Sequence, residues 1–231
     1  MALPKIDQPL FDLTIPSTKQ KIKFRPFTVK EEKILLMAQE GKDDEGIINA
    51  IKQVINNCVQ TDIDVEQLAI FDLEFLLINI RSKSVNNMVE FAIDDEGEEI
   101  KLTVNLDDIS VIETEGHTST LKIRDDVALV MRYPDIRSIS KMMNGDVDTE
   151  AMFTIMMHCI DMIAVGEETY IMKDNTLEEQ IEFVESLTSD TIDKIKQFFD
   201  TMPTVKCDIP YTKKDGTEKI FSLKGLDAFF I

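Results

Sequence analysis

The segment KIKFRPF sets Ile22, Phe24 and Phe27 against Lys21, Lys23 and Arg25. Alternation with period two marks a strand with one face buried and one face in water. Upstream, FDLTIP is separated from it by the polar turn STKQ, so the two pieces predict a β-hairpin whose outer face is basic. Pro26 ends the second strand. Thr28-Val-Lys-Glu31 then reads as a capping box, and Ile34, Leu35, Met37 and Ala38 supply the apolar stripe of a helix that Gly41 closes.

Further on, Ile47, Ile48, Ile51, Val54 and Ile55 mark one side of a second helix, over about Glu45 to Val59. After the acidic turn TDID, the run VEQLAIFDLEFLLINIRSKS has apolar residues around well over half its circumference, which predicts a helix buried between layers. The pattern then returns to period two. MVEFAID and EIKLTVNL flank DDEGEE as a second hairpin, DISVIE and HTSTLKI continue extended, and DDVALVMRYP closes the β-rich middle at Pro134. DIRSISKMM predicts a short helix, and TEAMFTIMMHCIDMIA, Thr149 to Ala164, is apolar nearly all round and predicts a core helix. EETYIMKD is a brief extended piece. TLEEQIEFVESL and SDTIDKIKQFFDTM are capped amphipathic helices ending at Pro203, and the remaining chain forms a third hairpin turning at KKDG.

These elements give an α+β fold: a β-hairpin, a helical bundle, an inserted β subdomain, a second helical half and a C-terminal β-hairpin. The expected divisions are 1–85, 86–134 and 135–231, with the middle piece as an insertion and the outer two able to close into one domain. At 231 residues the chain is long enough to bury a sizeable core.

Charge changes the picture of the partner. The formal net charge is −19, which opposes binding to nucleic acid or to an anionic membrane surface. The charge is uneven: Met1 to Gly41 holds seven Lys or Arg against five acids, and the acid excess lies downstream. A bipolar chain of this kind suits docking on a partner of matching polarity, or head-to-tail association with a second copy. The basic stripe Lys21, Lys23, Arg25 reads either as a solvated edge strand whose lysines deter aggregation or as a docking edge for a protein. It lacks the interleaved aromatics of a base-stacking surface. No apolar run reaches transmembrane length, the first residues lack a signal-peptide core, and three scattered cysteines fit a reducing compartment, so the expected location is cytoplasmic.

Candidate chemistry is sparse. Phosphate-binding glycine motifs and G-x-S-x-G are absent. His158 and Cys159 are adjacent on a predicted helix, where their side chains diverge by about 100° and cannot act as base and nucleophile. Cys58, Cys159 and Cys207 show no zinc-ligand spacing, and neither acidic loop has the glycine of a calcium-binding loop. No cofactor, metal or catalytic residue is expected. The alternative is a hydrolase whose carboxylate pair carries no recognisable motif. The terminal residues GLDAFFI place Leu226, Phe229 and Phe230 at the spacing of a short helical anchor for a partner's groove, or of residues tucked into the chain's own core.

KFRPFTVKEEKILLMAQE, FDLEFLLINIRSKS, RYP ahead of the helical half and the terminal FSLKGLDAFF occur here in that order. In these segments the chain resembles a baseplate protein family of T-even-type contractile-tailed bacteriophages, whose members include a baseplate hub subunit and a hub assembly factor. The resemblance spans essentially the whole chain and contains no catalytic signature. It implies a protein that builds, or forms part of, the central hub by binding other hub or tail proteins. It implies action in the host cytoplasm, and a place in the virion baseplate for members that remain there.

Overall fold

The structure is a computed structural model and describes residues 6–41, 44–136, 138 and 149–225. Helices and small antiparallel sheets are mixed along the chain, as the α+β reading expected. The chain divides into two compact units. One comprises the residues up to Ile112 together with those from Thr204 onward; the other is Glu113–Pro203.

The first unit opens with β1 (Phe11–Thr14) and β2 (Lys21–Phe24), paired antiparallel with Phe11 opposite Phe24 and Leu13 opposite Ile22. Ile22 and Phe24 are buried, so the alternation did place the apolar face inward. Two helices follow, α1 (Val29–Gly41) and α2 (Asp44–Cys58), packed on each other. Then comes α3 (Ile70–Ser84), along which Phe71, Leu73, Leu76, Leu77, Ile78 and Ile80 are all buried. That is the circumferential burial its sequence predicted. Both ends of α3 hold the hairpin and the chain leaving it. The buried Asp72 accepts hydrogen bonds from the N–H (2.9 Å) and the hydroxyl of Ser17, and the Ser84 hydroxyl accepts from the Phe27 N–H at 2.8 Å.

Next are β3 (Met88–Asp95) and β4 (Glu98–Asn105), joined through Glu96 and Gly97. Both turn residues have positive φ (57° and 85°), the geometry a two-residue hairpin turn demands. The short β5 (Ser110–Ile112) pairs with β10 (Thr204–Thr212), which pairs in turn with β11 (Glu218–Lys224). Leu102, Val104, Leu106, Ile109, Val205, Ile209 and Leu223 are buried in this unit.

The second unit contains a four-stranded sheet in the order β6 (Thr120–Arg124), β7 (Val127–Met131), β8 (Ile160–Val165), β9 (Glu168–Ile171). Its helices are α4 (Thr149–Cys159), α5 (Leu177–Glu185) and α6 (Ser189–Thr201). Its own core gathers Leu129, Met131, Met156, Cys159, Ile160 and Ile163 with Val184, Ile195 and Phe198.

Two expectations differ from this architecture. The helix expected to run from Thr149 to Ala164 ends at Cys159, and Ile160–Val165 is a strand held between β7 and β9. A run that is apolar all round has no periodicity to separate buried helix from buried strand, and partners on both sides decided it. The 86–134 stretch, expected as one β-rich piece, is divided: β3, β4 and β5 belong to the first unit, while β6 and β7 pair within the second. The short helix expected over DIRSISKMM lies mainly outside the described residues.

Candidate functional site: the docking surfaces

Lys21 and Lys23 point to solvent from β2, Lys23 forming a loose 3.7 Å ion pair with Asp12 across the hairpin. Arg25 does not share their situation. Its guanidinium reaches Glu31 at 3.1 Å and also donates to the carbonyl of Pro26 at 2.8 Å, leaving 21% of its side chain exposed. Glu31 is the buried residue of α1, at 1% exposure. Its carboxylate accepts from the Thr28 N–H (2.9 Å) and hydroxyl (2.7 Å) as well as from Arg25. Burial pushes the Glu31 pKa up, yet the bonds from Arg25 and Thr28 outweigh it and bring the group down to about 2. So the T-x-x-E pattern marked more than a helix start. Glu31 reaches back to the Thr28 N–H as in a capping box, while its own N–H goes to the Thr28 carbonyl at 2.9 Å.

The main-chain edge of β2 is also occupied. Gln60 N–H donates to the Lys23 carbonyl (2.8 Å), Arg25 N–H to the Cys58 carbonyl (2.9 Å), and Lys23 N–H to the Thr61 hydroxyl (2.9 Å). The strand expected to be an edge is therefore covered on both sides, by β1 and by the chain leaving α2. Nothing in the Lys21–Arg25 sequence announces this, because the covering segment lies more than thirty residues away.

Leu226, Phe229 and Phe230 lie outside the described residues. The chain leads to them through Gly225, whose φ is +58° and whose N–H bonds the Val205 carbonyl at 3.1 Å.

Helix α1 leaves apolar side chains in water. Of the apolar stripe expected on α1, Ile34, Leu35 and Ala38 are half-buried and Met37 is 60% exposed, while Val29 and Leu36, outside that stripe, are 78% and 53% exposed. Leu36 and Met37, adjacent and both more than half exposed, are the apolar side chains α1 offers to a partner.

Over residues 8–231 the chain matches the family described as T4 bacteriophage base plate protein. The chain belongs to that family. No curated protein and no solved structure matches it.

For a phage baseplate protein, the described residues offer surfaces more readily than chemistry. Burial pushes the Cys58 thiol up to about 11 and Cys159 up to about 12, far from nucleophilic activation. His117 bonds through its ring nitrogens to the Tyr133 and Thr201 hydroxyls, both at 3.0 Å, and its ring packs against Phe198. Among the described residues, no three His, Cys, Asp or Glu side chains converge as metal ligands. No described helix is long and apolar enough to cross a membrane.

Proposed function

We propose that this baseplate protein is a non-enzymatic subunit or assembly factor that binds other hub proteins of a contractile tail and so builds or completes the central hub. Assembly takes place in the host cytoplasm, and members that stay do so in the virion baseplate. The observation that carries the reading is α1. A helix that leaves Val29, Leu36 and Met37 in water, in the same unit as the exposed cations Lys21 and Lys23, is suited to a partner with an apolar groove and acidic surroundings. Lys21 and Lys23 are the proposed electrostatic contacts. Arg25 joins them only by holding Glu31 and the start of α1 in place. Leu226, Phe229 and Phe230 are proposed as a second apolar anchor, and self-association through the same surfaces is the alternative to a different partner.

The test is co-expression with the phage's other hub proteins, capture, and mass measurement of what is retained. Leu36→Glu with Met37→Glu should release the captured protein while leaving the melting temperature unchanged. Retention of the full complement by that variant would remove α1 from the interface. Loss of every hub protein from the unaltered chain's capture would sink the hub reading itself.

A further inference from the structure

In the second unit, β9 is the last strand of its sheet, and all four of its residues are exposed. Its outer side pairs with no strand among the described residues. Pairing sets Tyr170 opposite Ile163 and Glu168 opposite Val165, so these four share the sheet face that α5 partly covers. The cover stops short. Between β9 and α5 a cavity of about 270 Å³ remains, floored by Ile163, Val165 and Tyr170 and walled by Phe183 and Gln180. Tyr170 is 46% exposed and Val165 39%, and Ile171, on the other face of β9, is 42% exposed. Edge strands are ordinarily blunted by lysine, proline or a bulge. β9, reading ETYI, has no lysine, proline or bulge, and its four-residue length and Glu168 are what blunt it.

The rim decides what fits. From Asp161 to Glu185 the chain carries eight carboxylates and one cation, Lys173. Glu168 stands on the groove face of the strand itself, and Glu179 lines the cavity, held ionised by the Thr176 N–H and hydroxyl bonds that lower its pKa. An acidic rim repels nucleic acid and anionic lipid, and an acidic peptide equally. It attracts a cationic chain.

We propose that β9 and the groove beside it form a docking site for a basic, extended segment of another protein, which adds to the sheet as a fifth strand. Its backbone pairs with β9, one apolar side chain enters the groove beside Tyr170 and Phe183, and a Lys or Arg two positions away meets Glu168. This site is on a different unit from α1 and the Lys21–Lys23 face, and it stands or falls apart from the identity of the hub partner.

The probe is a synthetic hexapeptide, Lys-Lys-Thr-Val-Val-Lys, titrated into the full ¹⁵N-labelled chain. Amide shifts are expected to cluster at Val165, Thr169, Tyr170, Ile171, Gln180 and Phe183, with affinity falling about tenfold or more between roughly 0.05 and 0.5 M salt. Glu168→Lys with Glu182→Lys changes two exposed side chains and spares the helix-capping Glu179; it should weaken binding about tenfold while leaving the melt unchanged. The same peptide N-methylated at every residue should not bind, because strand addition needs the N–H donors that face β9. Shifts spread evenly over other acidic surfaces, equal binding of the methylated peptide, equal binding of a version with Glu for Lys, or no binding would each overturn the proposal. A chain that captures its hub partners yet ignores the peptide loses this site and keeps the function proposed above.

Discussion

Arg25 and Glu31 are separated by six positions, and neither residue type signals burial, yet together they fix the junction between β2 and α1. Removing one partner of a largely buried, hydrogen-bonded pair leaves the other charge uncompensated. Arg25→Ala should therefore cost about 2–3 kcal/mol in urea unfolding, below the full buried-pair value because the guanidinium keeps some contact with water. Lys21→Glu and Lys23→Glu, on the open face, should each stay within about 0.5 kcal/mol. Equal losses at all three positions would show that the stripe acts as one structural unit. The pH dependence follows from Glu31. Its folded pKa lies near 2 against an ordinary value of 4.5, so its stabilising contribution is complete above the ordinary value and is lost as pH falls through that window. The stability gap between the natural chain and Glu31→Gln should shrink steadily as pH falls from about 5 towards 2.5. His117 works with the opposite consequence of charge. Burial, opposed by nearby Glu113, depresses its pKa below 6.5, so the unfolded chain takes up a proton that the folded imidazole resists. Stability should fall as pH drops below about 6.5 and level off once the folded histidine also protonates. His117→Gln should lack that step in a series of melts from pH 7.5 to 5. A step of the same size in the variant would assign it to other groups.

At the scale of elements, the sequence was most informative where a periodicity was clean. The hairpins around STKQ, DDEGEE and KKDG, and the capped pair α5 and α6, lie where alternation, turn residues and Thr caps place them. Thr176 and Glu179 complete a reciprocal capping box. It was least informative where everything was apolar. Ile160–Val165 followed a helix without a polar residue strong enough to stop it, and only the antiparallel partners Val127–Met131 and Glu168–Ile171 make it a strand. Helix α1 was legible only in part. Its pattern identified a helix correctly, but a pattern identifies an apolar face without saying what covers it. The residues proposed for docking were legible in the same partial way: Lys21 and Lys23 as exposed cations, Arg25 as a member whose role depends on a buried carboxylate, and Leu226, Phe229 and Phe230 only as a spacing. Gly225 gives a test on this scale. Its φ of +58° suits glycine, and an added Cβ would sit 2.9 Å from the Glu74 Oε1. Gly225→Ala should destabilise by about 1–2 kcal/mol, mostly from the left-handed backbone because a flexible carboxylate can move aside. No change in the melt would mean that the backbone relaxes out of that conformation at little cost.

For the whole molecule, the order of elements along the chain and the division into units follow different logics. Periodicity reads neighbours in sequence, and it put one break after Val85 and another after Pro134, where texture changes. Packing reads neighbours in space. β5 ends at Ile112, β10 begins at Thr204, and in the antiparallel register these two residues are partners. The chain therefore leaves the first unit and returns to it at adjacent positions of one sheet, and residues 113–203 occupy the place of a hairpin turn. Cross-strand partners in an antiparallel pair have Cα atoms only about 4.5–5.5 Å apart, a gap that a two-residue Asn-Gly turn spans. Replacing Glu113–Pro203 by Asn-Gly should thus leave a first unit that folds cooperatively, because Leu102, Val104, Leu106, Ile109, Val205 and Leu223 all remain with α3. The excised segment 113–203 should also melt cooperatively, since it retains the cluster of Leu129, Ile160, Ile195 and Phe198, and the His117–Thr201 bond ties its first turn to its last helix. Dispersed amide spectra and single melting transitions for both pieces would establish the insertion. If the Asn-Gly protein is collapsed without dispersed amides while the intact chain melts in one transition, the two units fold only together, and the first unit's sheet needs the second to form.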